Sequence, residues 1–411
     1  MEGFIPKVIP NLKARKLPAI QYLGQKILNL DESLFNWVLK PANKKAEQNN
    51  FRAEESYNGL QNIKIQSFIP VITGFQKQKV LGFFSHISDP LLEHDLSIEA
   101  GYSPFNEVPA GPKFHFRLKY DYLQKFGLGI DQNATDFYDL FNSRKRGMIG
   151  TKLRTSYTFF WLYDNPLKIK HHTEVAYYTN VEFINDNLVR VSEPDFSVFQ
   201  TNLNIKDIRR TIGSSDYESG NELNFTILGF HTYLNSLNEF AVEGHAEWDR
   251  YFLWLFDHNV FHFKLAGGYH YVNEKIFQAR YFFGGFGNRE VENTSVRQFR
   301  SLYRFPGVPM YGIPAERFVK LMFENAFPPV RFGNISLGQH YLNHIDFSIY
   351  AQSLVARTPV ADTFVSLGAQ IDFLFKHWFN LETTFSAGIA KAWFSNSSEW
   401  EWFLSYKLLK N

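Results

Sequence analysis

From about residue 60 onward the chain alternates apolar and polar residues through segments of ten to fifteen positions. A period of two places successive side chains on opposite faces of an extended strand, so each segment has one apolar and one polar face. At 113–122, Phe114, Phe116, Leu118, Tyr120 and Tyr122 oppose Lys113, His115, Arg117, Lys119 and Asp121. At 149–163, Ile149, Leu153, Tyr157, Phe159, Trp161 and Tyr163 share one face, and Lys152, Arg154, Ser156 and Thr158 share the other. At 92–102, Leu92, His94, Leu96, Ile98, Ala100 and Tyr102 alternate with Glu93, Asp95, Ser97 and Glu99. Near the end, Val365, Leu367, Ala369, Ile371 and Phe373 oppose Ser366, Gly368, Gln370 and Asp372. In the last segment Trp400, Trp402, Leu404, Tyr406 and Leu408 oppose Glu399, Glu401, Ser405 and Lys407.

A soluble β-sandwich and a membrane β-barrel both produce this pattern. The segments are about twice the length of an ordinary globular strand and match the ~9–11 residues needed to cross lipid at a tilt of ~45°. Their apolar faces carry Tyr, Trp and Phe toward the ends, where interfacial girdles form. Composition agrees. Aromatics make up 18% of the chain, yet the mean hydropathy is −0.27 and the formal net charge only +2. A barrel averages an apolar exterior with a charged lumen, which gives this combination. No run of eighteen apolar residues occurs, which excludes membrane-spanning helices. With no cysteine, a disulfide scaffold and a Cys-ligated metal are excluded. The balanced charge argues against nucleic acid as a partner.

The expected fold is all-β, a transmembrane antiparallel β-barrel of about sixteen strands. The expected strands are 60–70, 78–86, 92–102, 112–123, 126–134, 147–162, 166–178, 196–207, 221–234, 238–251, 259–273, 316–327, 341–355, 362–377, 380–394 and 398–409. Residues 1–57 read as an N-terminal extension and 58–411 as the barrel. The extension has Pro6, Pro10, Pro18 and Pro41, an amphipathic helix expected near 29–40, and an Asn/Gln/Glu-rich linker over 43–57. Its first residues lack the continuous apolar core of a signal peptide, so the chain is expected to be a mature form or the C-terminal part of something longer.

One connection breaks the meander. Residues 274–315 include YFFGGFGNREVENTSVRQFRSLYRFPGVPMYGIPA, rich in Gly, Arg and aromatics. A loop this long in a compact fold is usually functional or disordered, and its aromatic content argues against disorder. It contains Phe282, Phe283, Gly284 and Gly285, then Gly287, and later Val296, Arg297, Gln298, Phe299 and Arg300. On these residues the chain resembles the outer-membrane assembly and secretion barrels typified by BamA, TamA and FhaC. Their long infolded loop carries a Phe-x-x-Gly-Gly stretch and a Val-Arg-Gly-aromatic tip, and five strands follow it, as counted here. FENAFPPVRF (323–332) and the hairpin RRTIGSSDYESGNELNFTI (209–227) resemble further elements of these barrels. The last strand, with Trp402, Leu404, Tyr406 and Leu408, resembles their C-terminal assembly signal, although this chain ends in Lys-Asn.

The resemblance implies a loop folded into the lumen, with the tip Arg297 paired to the wall. The chain departs from the family at two places. Gln298 stands where the family has Gly, so a turn through positive φ is costlier. In the family the tip Arg meets an aromatic-x-Asp-x-Gly pattern on the second strand after the loop, where this chain has Tyr350 and Gln352 in the Asp and Gly places. Arg297 is therefore expected to pair with Asp346, Asp372 or Glu382, or to stack on Tyr350. The family's periplasmic POTRA domains do not fit in the 57 residues ahead of the first strand.

The lumen charges Lys113, Arg117, Lys119, Lys152 and Arg154 are interleaved with Glu93, Asp95, Glu99 and Asp121, so mutual neutralisation is expected rather than an anion-selective wall. His171, His172, His258, His262, His340 and His344 lack consistent metal-ligand spacing, and His94 falls on the apolar face. No nucleotide-binding or nucleophile motif occurs. The expected protein is not an enzyme, needs no cofactor or metal, and resides in a bacterial outer membrane. Its expected partners are outer-membrane lipid and client proteins or partner subunits. Three roles remain open: insertion, secretion or surface delivery of proteins through a lateral seam; a closed, plugged barrel anchoring a larger complex; or a passive solute channel.

Overall fold

The computed structural model describes residues 57–75, 78–104, 111–134, 148–184, 190–192, 194–234, 237–272, 281–288, 295–333, 335–337, 340–358, 360–377, 382–395 and 397–408. The chain divides into two compact units, Met1–Asn62 and Ile63–Asn411. In the first unit the described residues include a short 3-10 turn, Gly59–Asn62. The helix expected near 29–40 and nearly all of the linker over 43–57 lie outside the described residues.

The second unit is all-β, and no α-helix occurs among the described residues. Its wall strands are β1 Lys64–Phe75, β2 Gln78–Ser88, β3 His94–Tyr102, β4 Phe114–Tyr122, β5 Phe126–Gln132, β6 Met148–Asp164, β7 Leu167–Ile184 and β8 Phe196–Arg209. They continue as β9 Ser219–Leu234, β10 Leu237–Leu253, β11 Val260–Val272, β12 Arg317–Ala326, β13 His340–Thr358, β14 Val360–Lys376, β15 Glu382–Phe394 and β16 Ser397–Leu408. Each pairs antiparallel with the next in sequence, from β1–β2 through β15–β16. Among the described residues nothing pairs β1 with β16, so the wall has one unpaired seam. Short pieces add to β7 and β13, and Tyr281–Phe283 pairs with Ile313–Ala315 as a separate ribbon.

The first strand differs from the expected 60–70: it begins at Lys64 and runs to Phe75. Pro70, which reads as a strand end, lies within the strand instead. An edge strand tolerates proline because one side of its backbone needs no partner.

The faces segregate as the period requires. On β16, Trp400, Trp402, Leu404 and Tyr406 point outward and are 58–64% exposed. Val365, Leu367, Ile389 and Trp393 continue this apolar exterior, which suits lipid. On the inner faces Ser366, Gln370, Asp372, Thr384 and Ser386 are buried. The inner face is not purely polar, however. Phe318, Met322, Leu354 and Phe403 also point inward and are buried, because the long loop packs on them. Farther round the wall a second inward cluster forms on β7–β10, where Phe196 lies between Tyr178 and Phe230 at 4.5 and 5.0 Å.

Of the interleaved charges, Arg117 pairs with Glu99 and Asp131, Lys119 with Asp121, and Lys152 with Glu174. Arg117 and Lys152 thus meet carboxylates on neighbouring strands, and Lys119 meets one on its own strand. His94 stays on the outer face, bonded to Tyr120 Oη at 2.6 Å.

Candidate functional site

The long connection between β11 and β12 enters the curve of the wall and binds strand after strand on their inner faces. Tyr281 Oη donates to the Gly244 carbonyl on β10 at 2.8 Å. Lys320 on β12 is fully buried and donates from Nζ to the carbonyls of Ser301, Leu302 and Arg304. Ser366 on β14 donates to the Pro306 carbonyl. On β16, Glu401 accepts from the Phe286 and Gly307 amides at 3.1 and 2.9 Å, and Lys407 donates to the Ser295 carbonyl. A loop bonded to β10, β12, β14 and β16 occupies the lumen on that side of the wall.

The Gly stretch makes this path possible. Gly284 has φ +141° and Gly287 φ +76°. A Cβ on Gly284 would lie 2.1 Å from the Pro309 carbonyl oxygen, and one on Gly287 would lie 2.4 Å from Arg304 Nε. Any side chain at these positions would push the loop off itself. Gly285 also has positive φ.

The tip is a one-turn 3-10 segment, Gln298–Arg300. Gln298 keeps a negative φ there and donates to the Ser295 carbonyl at 2.7 Å, so this tip does not need the family's glycine. Phe299 is buried and stacks on Tyr350 with ring centroids 4.1 Å apart. Gln352 donates to the Phe299 carbonyl at 2.9 Å, and Gln370 donates to the Val296 carbonyl at 3.1 Å. The two β13 positions where the family has Asp and Gly therefore still hold the tip, by stacking and by an amide.

Arg297 and Arg300 lie among carboxylates. Arg297 is 2.8 Å from Asp216 and 3.6 Å from each of Glu324, Asp346 and Asp372. Arg300 binds Glu324 through Nε and Nη2 at 2.6 and 2.8 Å, and contacts Asp216 at 2.5 Å. Glu324 also meets His262 at 3.3 Å, and His262 reaches Asp249 at 2.7 Å. Of the partners expected for Arg297, Asp346 and Asp372 lie beside it. Tyr350 stacks on Phe299 instead, and Glu382 pairs with Lys376 at 3.5 Å, one strand removed. Asp216 and Glu324 were not anticipated. Both fall inside segments that the sequence singled out, the 209–227 hairpin and FENAFPPVRF, but nothing local marks them as partners of the tip.

Asp216 comes from the turn between β8 and β9, at the opposite end of the wall from the root of the loop. The turn is tied down where His258 meets Glu218 at 2.5 Å and Arg331 donates to the Gly213 carbonyl at 2.5 Å. Two connections rooted at opposite ends thus meet inside the wall. Burial pushes the Asp216 carboxyl up, but Arg300 and Arg297 outweigh it and hold it below the ordinary carboxylate value. A depressed folded-state pKa gives stabilisation that is complete above the unfolded value and fades as pH falls through the folded one. The tip is therefore expected to be more protease-sensitive at pH 3 than at pH 7, and Asp216→Asn should flatten that dependence. An Asp216→Asn variant with the wild-type pH profile would show that this contact does not hold the tip.

Among the described residues no group of His, Asp and Glu is arranged to hold a metal ion. None of the described helices is long and apolar enough to cross a membrane, which says nothing of strands.

No protein-family model and no curated protein matches the chain. Solved structures do. CdiB from Acinetobacter baumannii is 11% identical with a TM-score of 0.43, over 85% of this chain and 60% of that one. BamA from Haemophilus ducreyi lacking POTRA domains 1–3 is 13% identical with a TM-score of 0.46, over 85% of this chain and 70% of that one. OccK1 (OpdK) from Pseudomonas aeruginosa is 10% identical with a TM-score of 0.32, over 84% of this chain and 96% of that one. The chain thus spans 60% of the length of CdiB.

Proposed function

We propose that this chain is an outer-membrane β-barrel that takes part in inserting, secreting or surface-delivering other proteins through the seam between β1 and β16. The observation that carries this reading is the unpaired seam itself, flanked on β16 by the infolded loop that holds Glu401 and Lys407. A free strand edge can take a further strand by main-chain hydrogen bonding, a non-enzymatic act that needs no cofactor. Residues 296–300 brace the wall while the seam works, and clients or partner subunits are its macromolecular partners.

A second reading rests on the density of contacts between loop and wall. A lumen tied to β10, β12, β14 and β16 suits a plugged barrel that anchors other subunits. Planar-bilayer recording and a seam lock separate the readings. With the full chain reconstituted, no steady current is expected. A disulfide between cysteines at Gln66 and Ser405 is expected to abolish assembly of other outer-membrane proteins. A large steady current would make the chain a solute channel. Full assembly activity in the locked protein would exclude lateral opening and favour the anchor.

A further inference from the structure

The seam has two edges, and their backbones differ. Phe394 and Ser397 pair across a connection of two residues, as do Phe75 and Gln78. The pair flanking a two-residue hairpin loop exchanges both hydrogen bonds, and along an antiparallel ladder the bonded and non-bonded pairs then alternate. On β16 this turns the main-chain groups of Ser398, Trp400, Trp402, Leu404, Tyr406 and Leu408 away from β15, toward the seam. The register of β16 has no shift, and the strand contains neither proline nor glycine. Its free edge is a continuous row of donors and acceptors long enough to cross a bilayer.

On β1 the same count turns Gly74, Ile72, Pro70 and Phe68 toward the seam, before the register shifts between Ile65 and Ser67. Pro70 has no N–H to give, so this edge is interrupted in its middle and irregular below. In lipid a strand laid against it would keep a carbonyl without a partner, because no water is there to replace the lost donor.

We propose that β16, not β1, is the edge that takes up an incoming strand, and that the partner it fits is a transmembrane β-strand of another chain. That strand is about ten residues long. It presents alternate apolar residues beside Trp400, Trp402, Leu404 and Tyr406 on the outer face and polar ones toward the lumen. Pro70 keeps the opposite edge from competing for the same strand, a use of proline common on exposed sheet edges. This inference rests on the seam reading above and adds which edge works and what it binds.

The chain has no cysteine, so single cysteines report cleanly. The full chain is reconstituted in phosphatidylcholine vesicles as Leu404→Cys or as Ile72→Cys. Each is offered a twelve-residue peptide of alternating valine and threonine with one central cysteine, and mixed disulfide is measured over time. Leu404→Cys is expected to capture peptide at least tenfold faster than Ile72→Cys. Adding Pro70→Val to Ile72→Cys is expected to raise its capture at least fivefold, and adding it to Leu404→Cys to change little. Equal or faster capture by Ile72→Cys, or no response to Pro70→Val, overturns the assignment of the edge and leaves the seam reading standing. Capture by neither variant, with assembly activity intact, does the same. In a peptide-free control, cysteine at Ile72 is paired in turn with cysteine at Trp400, Trp402 or Leu404. Complete disulfide formation there, with assembly activity retained, means that the chain closes its own seam and overturns both.

Discussion

Replacing Arg300 by methionine is expected to cost about 3–5 kcal/mol of stability, because breaking a buried ion pair strands the partner charge. Arg300 serves the fully buried Glu324 through two parallel bonds and Asp216 through a third. Removing the guanidinium leaves Glu324 with His262 and a more distant Arg297. The loss should appear in detergent as a lower guanidinium midpoint for unfolding and as a lower temperature at which the folded band disappears on semi-native gels. Arg300→Lys should recover only part of it, since an ammonium cannot present the planar fork that meets both oxygens of Glu324. Pairing Arg300→Met with Glu324→Gln should be milder than Arg300→Met alone, because the second change removes the stranded charge. A single variant within about 1 kcal/mol of wild type, the range of a surface pair, would show that the cluster is solvated and does not fasten the tip.

Opening of the lumen is the expected result of Glu401→Ala. Its carboxylate accepts from two loop amides, Phe286 and Gly307, and no other wall residue described takes both. Each buried N–H left without an acceptor costs about 1–3 kcal/mol, so the seated loop loses about 2 kcal/mol or more. That raises the displaced population roughly thirtyfold, since 1.4 kcal/mol is a factor of ten. Planar-bilayer recording should turn from a silent baseline to frequent openings, with Glu401→Gln intermediate because it keeps one carbonyl oxygen. Silence in Glu401→Ala, in protein that remains folded on semi-native gels, would mean that β10, β12, β13 and β14 seat the loop without help from the last strand.

The sequence made the wall legible because the period of two is local: residue i and residue i+2 face the same way whatever the rest of the chain does. Trp400, Trp402, Leu404 and Tyr406 could be set on one face from ten residues alone, and the loop stood out by its length and its glycines. The start of β1 was not legible. Pro70 reads as a strand end, and only its pairing with Phe83 on β2 shows it inside an edge strand. The inward Phe318, Met322 and Phe403 were equally hidden, since an apolar residue on a lumen face makes sense only once something packs on it.

The partners of the tip belong to the tertiary structure. Asp346 and Asp372 could be placed on lumen faces by alternation, and they lie beside Arg297. Asp216 is 81 positions away in a turn rooted at the far end of the wall, and it reaches Arg297 and Arg300 only because both connections fold inward. The sequence by itself determined the strands apart from the bounds of the first, their two faces and the two basic residues brought to the loop tip. The fold decided which carboxylates meet those arginines and that Pro70 lies on one edge of the seam while the other carries no proline. Contacts across the lumen depend on how the whole sheet curves, and the role of Pro70 depends on which way the hairpin register turns its nitrogen.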